Sequence, residues 1–275
     1  MLLPLLLSAG QKLAFAGMLL FAGYNGSVPD APVAVSNDET KEATAAAKAF
    51  TPATAIKGID VSRWQKHVDW ALVSEADVAF AFVKATQGDF RQDPFFSRNW
   101  EETKRHGIKR GAYHFYKPEA PVQCQIELFT NSVVLEAGDL PPVLDVEVSD
   151  PKVSPTQLRA GIRTWLEGVT AHYGVKPIIY TSQNYYRRYL QGHFNDYHFW
   201  IARYSTVQPE VHHTDSWMFW QHTDRGRITG INTTVDINFF VGDIETLGQM
   251  CIPDMVAQES QTSPLGQLKH MYPLP

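Results

Sequence analysis

Between residues 55 and 250, short apolar runs alternate with longer helical patterns, and this alternation restricts the fold more than any other feature of the chain. Eight runs have the length and the β-branched or aromatic content of strands: 57–61, 79–85, 110–115, 142–148, 177–181, 199–204, 218–222 and 235–239. Helical periodicity covers 95–106, 122–136, 156–173 and 184–189. Ser154-Pro155 supplies a cap and a first-turn proline, while Gly107 and Gly174 stand just past helix ends. The first five runs lead into helices, and the last three follow one another with little helical pattern between them. That division predicts an α/β fold, an irregular TIM-like (β/α)5(β)3 barrel built as one domain.

The flanks read differently. Residues 1–24 are apolar apart from a few positions such as Gln11 and Lys12. They read either as a secretory signal peptide or as a membrane anchor, since a span needs about 20 residues. Both readings imply export, to the periplasm, the cell envelope or the outside. Residues 25–54 are rich in Ala, Pro, Thr, Ser and Asp without periodicity and read as a disordered linker, and residues 251–275 as a tail. Cys124 and Cys251 form neither a metal-ligand spacing nor a CxxC pair and are expected to be free thiols. The formal charge of −5 leaves no basic footprint and argues against a nucleic-acid partner. A monomer is expected.

In β/α barrels the chemistry lies at the C-terminal ends of the strands. The fourth run ends in Leu144-Asp145-Val146-Glu147. Two residues apart on a strand, Asp145 and Glu147 would share one face, with Cα atoms about 6.5 Å apart. Like charges so close push one pKa up, and a protonated acid beside an ionised one is what glycosidic cleavage needs. A pair salt-bridged to Lys84 or Arg203, or a metal site, is the alternative. Asp60 in the first run and Asp236 in the last are weaker alone. Closure of an eight-stranded barrel sets the last run beside the first, so Asp60 and Asp236 would meet, facing Asp145 and Glu147 across the mouth. Seven Trp and eleven Tyr suit a sugar-lined cleft, with core packing as the competing use.

The same segments resemble glycoside hydrolase family 25. The likeness lies in Gly58-Ile59-Asp60-Val61-Ser62-Arg63-Trp64-Gln65, Phe82-Val83-Lys84-Ala85-Thr86-Gln87-Gly88, Gly111-Ala112-Tyr113-His114-Phe115-Tyr116 and Leu144-Asp145-Val146-Glu147. It continues in Ile179-Tyr180-Thr181, Trp200-Ile201-Ala202-Arg203-Tyr204, Trp220-Gln221-His222 and Val235-Asp236-Ile237-Asn238. The resemblance implies a Chalaropsis-type lysozyme that hydrolyses the β-1,4 bond between N-acetylmuramic acid and N-acetylglucosamine in peptidoglycan glycan strands, without a cofactor or metal. It implies Glu147 as general acid, Asp145 as the group that orients the substrate's 2-acetamido group or stabilises a charged intermediate, and Asp60 and Asp236 as shapers of the acid network. Beside it, Tyr113, Tyr180 and Tyr204 at strand ends are expected to hydrogen-bond the sugar, and Trp64, Trp200 and Trp220 to stack on sugar faces. His114 is expected to be a structural histidine. Two other functions compete: a non-catalytic peptidoglycan-binding barrel, and a metal-dependent peptidoglycan deacetylase.

Overall fold

The computed structural model describes residues 55–253, so the expected leader or anchor at 1–24, most of the linker and all but the start of the tail lie outside the described residues. Strand β1 (Ile56–Val61) is followed by helix α1 (Trp70–Ser74), β2 (Phe80–Gln87) and a two-residue β3 (Arg91–Gln92). Then come α2 (Phe96–Arg105), β4 (Lys109–Phe115), α3 (Val122–Ser132), β5 (Val143–Asp145) and α4 (Pro155–Tyr173). β6 (Ile178–Ser182) leads into the short α5 (Gln183–Tyr185), which continues as a π-helical turn over Tyr186–Leu190. β7 (His198–Ala202), β8 (Ser216–Gly226), β9 (Val235–Phe240) and α6 (Ile244–Met250) complete the described chain.

Eight of these strands form a closed barrel. Pairing is parallel along β1-β2-β4-β5-β6-β7-β8. β9 runs antiparallel to both β8 and β1 and closes the ring, while β3 folds back on the end of β2 as a hairpin. The expected five β/α units and three further strands are therefore present. Boundaries differ where local chemistry intervenes. β5 stops at Asp145 instead of running to 148, and α3 ends when Val133 turns extended. α1 is too short to show periodicity, and is fixed by the Asp69 side chain accepting from Leu72 N.

Side chains alternate along each strand, which sorts them into an inner and an outer layer. Phe80, Phe82, Tyr113, Val143, Ile178, Tyr180, Trp200, Phe219 and Phe240 fill the barrel. Ala81, Val83, Leu144, Ile179 and Ile201 face the helices, where Trp70, Phe129, Ile162 and Trp165 pack against them. The interior is crowded: a Cβ on Gly58 would lie 2.4 Å from the Phe80 ring, and one on Gly111 would lie 2.6 Å from that of Phe82. Cys251 is a free thiol buried beneath the barrel, while Cys124, also free, is exposed. The segment after α6 is thus docked at its start, where Gly138 N donates to Ile252 O and Ile252 N to Asp139 O. No helix among the described residues is long and apolar enough to cross a membrane.

Candidate active site

Following the inner row of each strand to its C-terminal end leads to polar side chains. On β1 the row runs from Gly58 to Asp60, on β2 from Phe80 through Phe82 to Lys84, and on β5 from Val143 to Asp145. On β8 it runs from Phe219 to Gln221. On the antiparallel β9 it runs backwards, from Phe240 through Asn238 to Asp236. The aromatic plug of the barrel is therefore capped by a layer of acids and amides.

Asp60 and Asp236 are directly opposed in the β1–β9 register. Gln221 Nε2 donates to Oδ2 of both, at 2.8 Å to Asp60 and 3.2 Å to Asp236. Asn238 Nδ2 donates to the same oxygen of Asp60 at 2.9 Å. The amide orientation follows from the neighbours. The Trp200 indole N–H can only donate, so Asn238 Oδ1 must face it, at 2.9 Å, which turns Nδ2 towards Asp60. Gln221 Oε1, on its other side, accepts from both Tyr180 and Tyr204 hydroxyls at 2.8 Å. Asp60 is buried, and one of its oxygens accepts from two amide donors.

Asp145 is buried at the last position of β5. The ladder continues one step further through Val146 N to Tyr180 O at 2.8 Å, and Glu147 follows half-buried, beyond the strand. The four acids act on a common set of tyrosines. Burial pushes the Tyr113 hydroxyl well above its ordinary pKa, and Asp60, Asp145 and Asp236 add to that. Tyr180 is pushed up by burial and then by Glu147, Asp145 and Asp60, and Tyr204 by burial and then by Asp236, Asp60 and Glu147 among others. All three phenols are thereby held as neutral hydrogen-bonding groups. Burial lowers the Lys84 ammonium, and the charges of Asp145, Asp93 and Glu147 draw it partly back. Its Nζ donates to Gln87 Oε1 at 2.9 Å.

Two expected sugar platforms are corrected by the structure. Trp200 is 2% exposed inside the barrel, stacked on Phe82 with ring centroids 4.4 Å apart. Trp220 is 1% exposed, alternates outward from Gln221, and donates through Nε1 to Arg203 O at 2.7 Å. Neither ring offers a face to a ligand. Trp64, 63% exposed on the loop after β1, and the half-exposed Tyr204 do. Arg203 is paired with Glu210 on the following loop, at 3.0 Å. His114 lies in the outer layer, stacked on Trp165, with Nδ1 at 2.7 Å from Thr86 Oγ1 and Nε2 at 3.0 Å from Gln125 Oε1. Gln221 and Asn238 are the residues that attention to acids and aromatics passed over. The available signal was a primary amide inside an apolar strand, which is costly to bury without partners.

No group of three or more His, Cys, Asp or Glu side chains among the described residues is arranged to hold a metal ion. The layer as a whole offers charge stabilisation, hydrogen-bond donors and a half-buried carboxyl just beyond the end of β5. That set suits acid-assisted cleavage at an acetal carbon.

Comparison with known proteins follows the same residues. The model of glycosyl hydrolases family 25 matches residues 59–231. The chain is 44% identical over 197 residues to the uncharacterized protein YegX of Escherichia coli K12, which covers 70% of this chain and 72% of YegX. It is 33% identical over 210 residues to lysozyme M1 of Streptomyces globisporus, which covers 70% of each. The structure of a family 25 glycosyl hydrolase from Bacillus anthracis matches with a TM-score of 0.69 at 30% identity, covering 74% of this chain and 96% of that one.

Proposed function

The chain belongs to glycosyl hydrolases family 25 and is a glycoside hydrolase; from this premise we propose that it is a lysozyme that cuts the β-1,4 bond between N-acetylmuramic acid and N-acetylglucosamine in peptidoglycan. The observation that carries the reading is the acid layer at one end of the barrel, where Asp60 and Asp236 are opposed on a shared Gln221 amide and Asp145 ends β5 with Glu147 just beyond it. Such a layer can stabilise the positive charge that develops at an anomeric carbon. Peptidoglycan lies outside the cytoplasm in the wall, so the enzyme would act there.

In this reading Glu147 gives its proton to the leaving glycosidic oxygen as the bond to the anomeric carbon breaks. Its half-buried position suits the role, because a general acid must be desolvated enough to keep its proton and open enough to reach substrate. Asp145, deeper, holds the 2-acetamido group or the developing positive charge. Water then adds to the anomeric carbon and returns its proton to Glu147. Tyr180 and Tyr204, oriented by donating to Gln221, keep acceptor lone pairs for sugar hydroxyls.

Mass analysis of peptidoglycan digested by the protein tests the proposal. Muropeptides ending in reducing N-acetylmuramic acid are expected. Fragments ending in reducing N-acetylglucosamine, release of acetate without new reducing ends, or binding without any cleavage would overturn it.

A further inference from the structure

Beside the acid layer, the loop after β1 and the β2–β3 hairpin form a rim of unlike character. Arg63, Lys84 and Arg91 line a recess there together with Trp64, Gln87 and Asp93. Asp93 is the one carboxylate among these, and it is committed to the backbone, accepting from Arg63 N at 2.9 Å and Phe95 N at 3.0 Å. Three cations thus stand against one carboxylate.

Two large rings stand out of the same rim. Trp64 is 63% exposed and Phe90, at the hairpin turn, 75%. Each carries a guanidinium over its face, Arg63 at 4.9 Å from the Trp64 centroid and Arg91 at 5.6 Å from that of Phe90. Such stacking restrains a long side chain before any ligand arrives. The recess itself measures about 10 Å³, room for roughly one water-sized group. It is too small for a sugar ring and suits one end of a compact anion. Lys84 joins it to the acids, since it lines the recess and also ends the inner row of β2 in the acid layer.

We propose that this rim is a subsite for a carboxylate carried by the glycan, with Arg63 and Arg91 binding the anion and Trp64 and Phe90 packing against the group that bears it. The inference deepens the lysozyme reading and rests on it, because muramic acid carries a lactyl carboxylate, free or extended into a peptide stem. An anionic substituent is repelled by the carboxylates of the acid layer and attracted by the arginines of the rim next to it. The rim therefore sets the register in which a muramyl unit can lie across Glu147, which an uncharged glycan would not share.

Binding of the Glu147→Gln protein tests this without turnover. Three polymers are compared by sedimentation: intact sacculi, stem-free glycan strands that keep the lactyl carboxylate, and sacculi whose carboxylates have been converted to neutral amides. Binding to the amidated sacculi is expected to be roughly ten-fold weaker than to intact ones, the scale of one charge-assisted contact. Adding Arg63→Ala and Arg91→Ala should abolish that difference, and lysines at both positions should restore much of it. Both arginines are partly exposed, so the unfolding temperature should stay that of the parent. Full binding to stem-free strands assigns the lactyl carboxylate; loss of it assigns the stem. Equal binding to intact and amidated sacculi, or a preference that survives loss of both arginines, overturns the subsite. A wild-type protein that cleaves nothing would overturn the lysozyme reading instead, and the binding comparison would still decide the rim.

Discussion

Asp60 on β1 and Asp236 on β9 face each other in register across the closing seam of the barrel, and one amide, Gln221 Nε2, donates to both carboxylates. Two acids directly opposite on neighbouring strands repel. A shared donor offsets that repulsion and fixes where both oxygens point. The other end of the same amide holds Tyr180 and Tyr204, so a single side chain links the acids to the hydroxyls.

Replacing Gln221 by Leu should therefore act on stability and activity together. Buried partners lose their hydrogen bonds, at a cost of about 1–3 kcal/mol. Turnover should fall at least roughly ten-fold as Asp60 and Asp236 lose their fixed geometry. Denaturant unfolding and release of reducing ends measure the two effects. Wild-type turnover in this variant would show that the pair holds itself without the amide.

The division of labour between Glu147 and Asp145 has its own signature. A general acid supplies about 10²–10⁴-fold, and chiefly when the leaving group is poor. Glu147→Gln should lose that much on peptidoglycan and much less on an aryl glycoside whose leaving group needs no proton. Asp145→Asn should lose comparable rate on both. The opposite pattern would exchange the two roles.

Trp64 and Trp200 should separate cleanly. Trp200→Ala empties the middle of the barrel plug and frees Asn238, and should destabilise by about 3–5 kcal/mol. Trp64→Ala touches no core and should leave the unfolding temperature alone while raising KM for peptidoglycan several-fold. A Trp64 variant with unchanged KM would remove that ring from the binding surface.

His114 predicts a pH dependence of stability. Burial lowers its pKa to about 4, and the Gln125 carboxamide only partly opposes this. Gln125 Nε2 donates to Lys117 O and Ala120 O, so its oxygen faces His114, and the neutral ring carries its proton on Nε2 while Thr86 donates to Nδ1. The unfolded chain takes up a proton near pH 6.5 and the folded one only near 4. Stability is thus full above pH 6.5 and falls as pH drops towards 4, by roughly 3 kcal/mol from this group. In denaturant titrations at pH 7.5 and 4.5, the stability difference between wild type and His114→Gln should narrow by roughly 2–3 kcal/mol at the lower pH. An unchanged difference would mean that the ring takes up its proton in the fold at the same pH as in the unfolded chain.

Much of this was legible in the chain. The order of apolar runs gave the barrel, because alternation of strand and helix admits few closed arrangements. The closure argument then brought Asp60 to Asp236. What sequence reading missed depends on burial. Trp200 and Trp220 look like Trp64 in a string of letters, yet two are walled in and one stands in solvent. Gln221 escaped notice because an amide has no charge to flag it, and its importance lies in four side-chain partners, on β1, β6, β9 and the loop after β7. Glu147 was expected on a strand that stops at Asp145, since nothing in Val146-Glu147-Val148 marks where a ladder ends.

The antiparallel last strand has a consequence in time. Asn238 and Gln221 reach Asp60 across 178 and 161 residues of chain. A polypeptide made from its N-terminus carries Asp60, Asp145 and Glu147 long before the strand that completes their surroundings exists. Contacts of such separation form late and slowly. The barrel has no stable ring without β9, and the acid layer has no fourth member. Folding and completion of the acid layer are the same event, so a growing or truncated chain holds these carboxyls without the frame that surrounds them in the closed barrel.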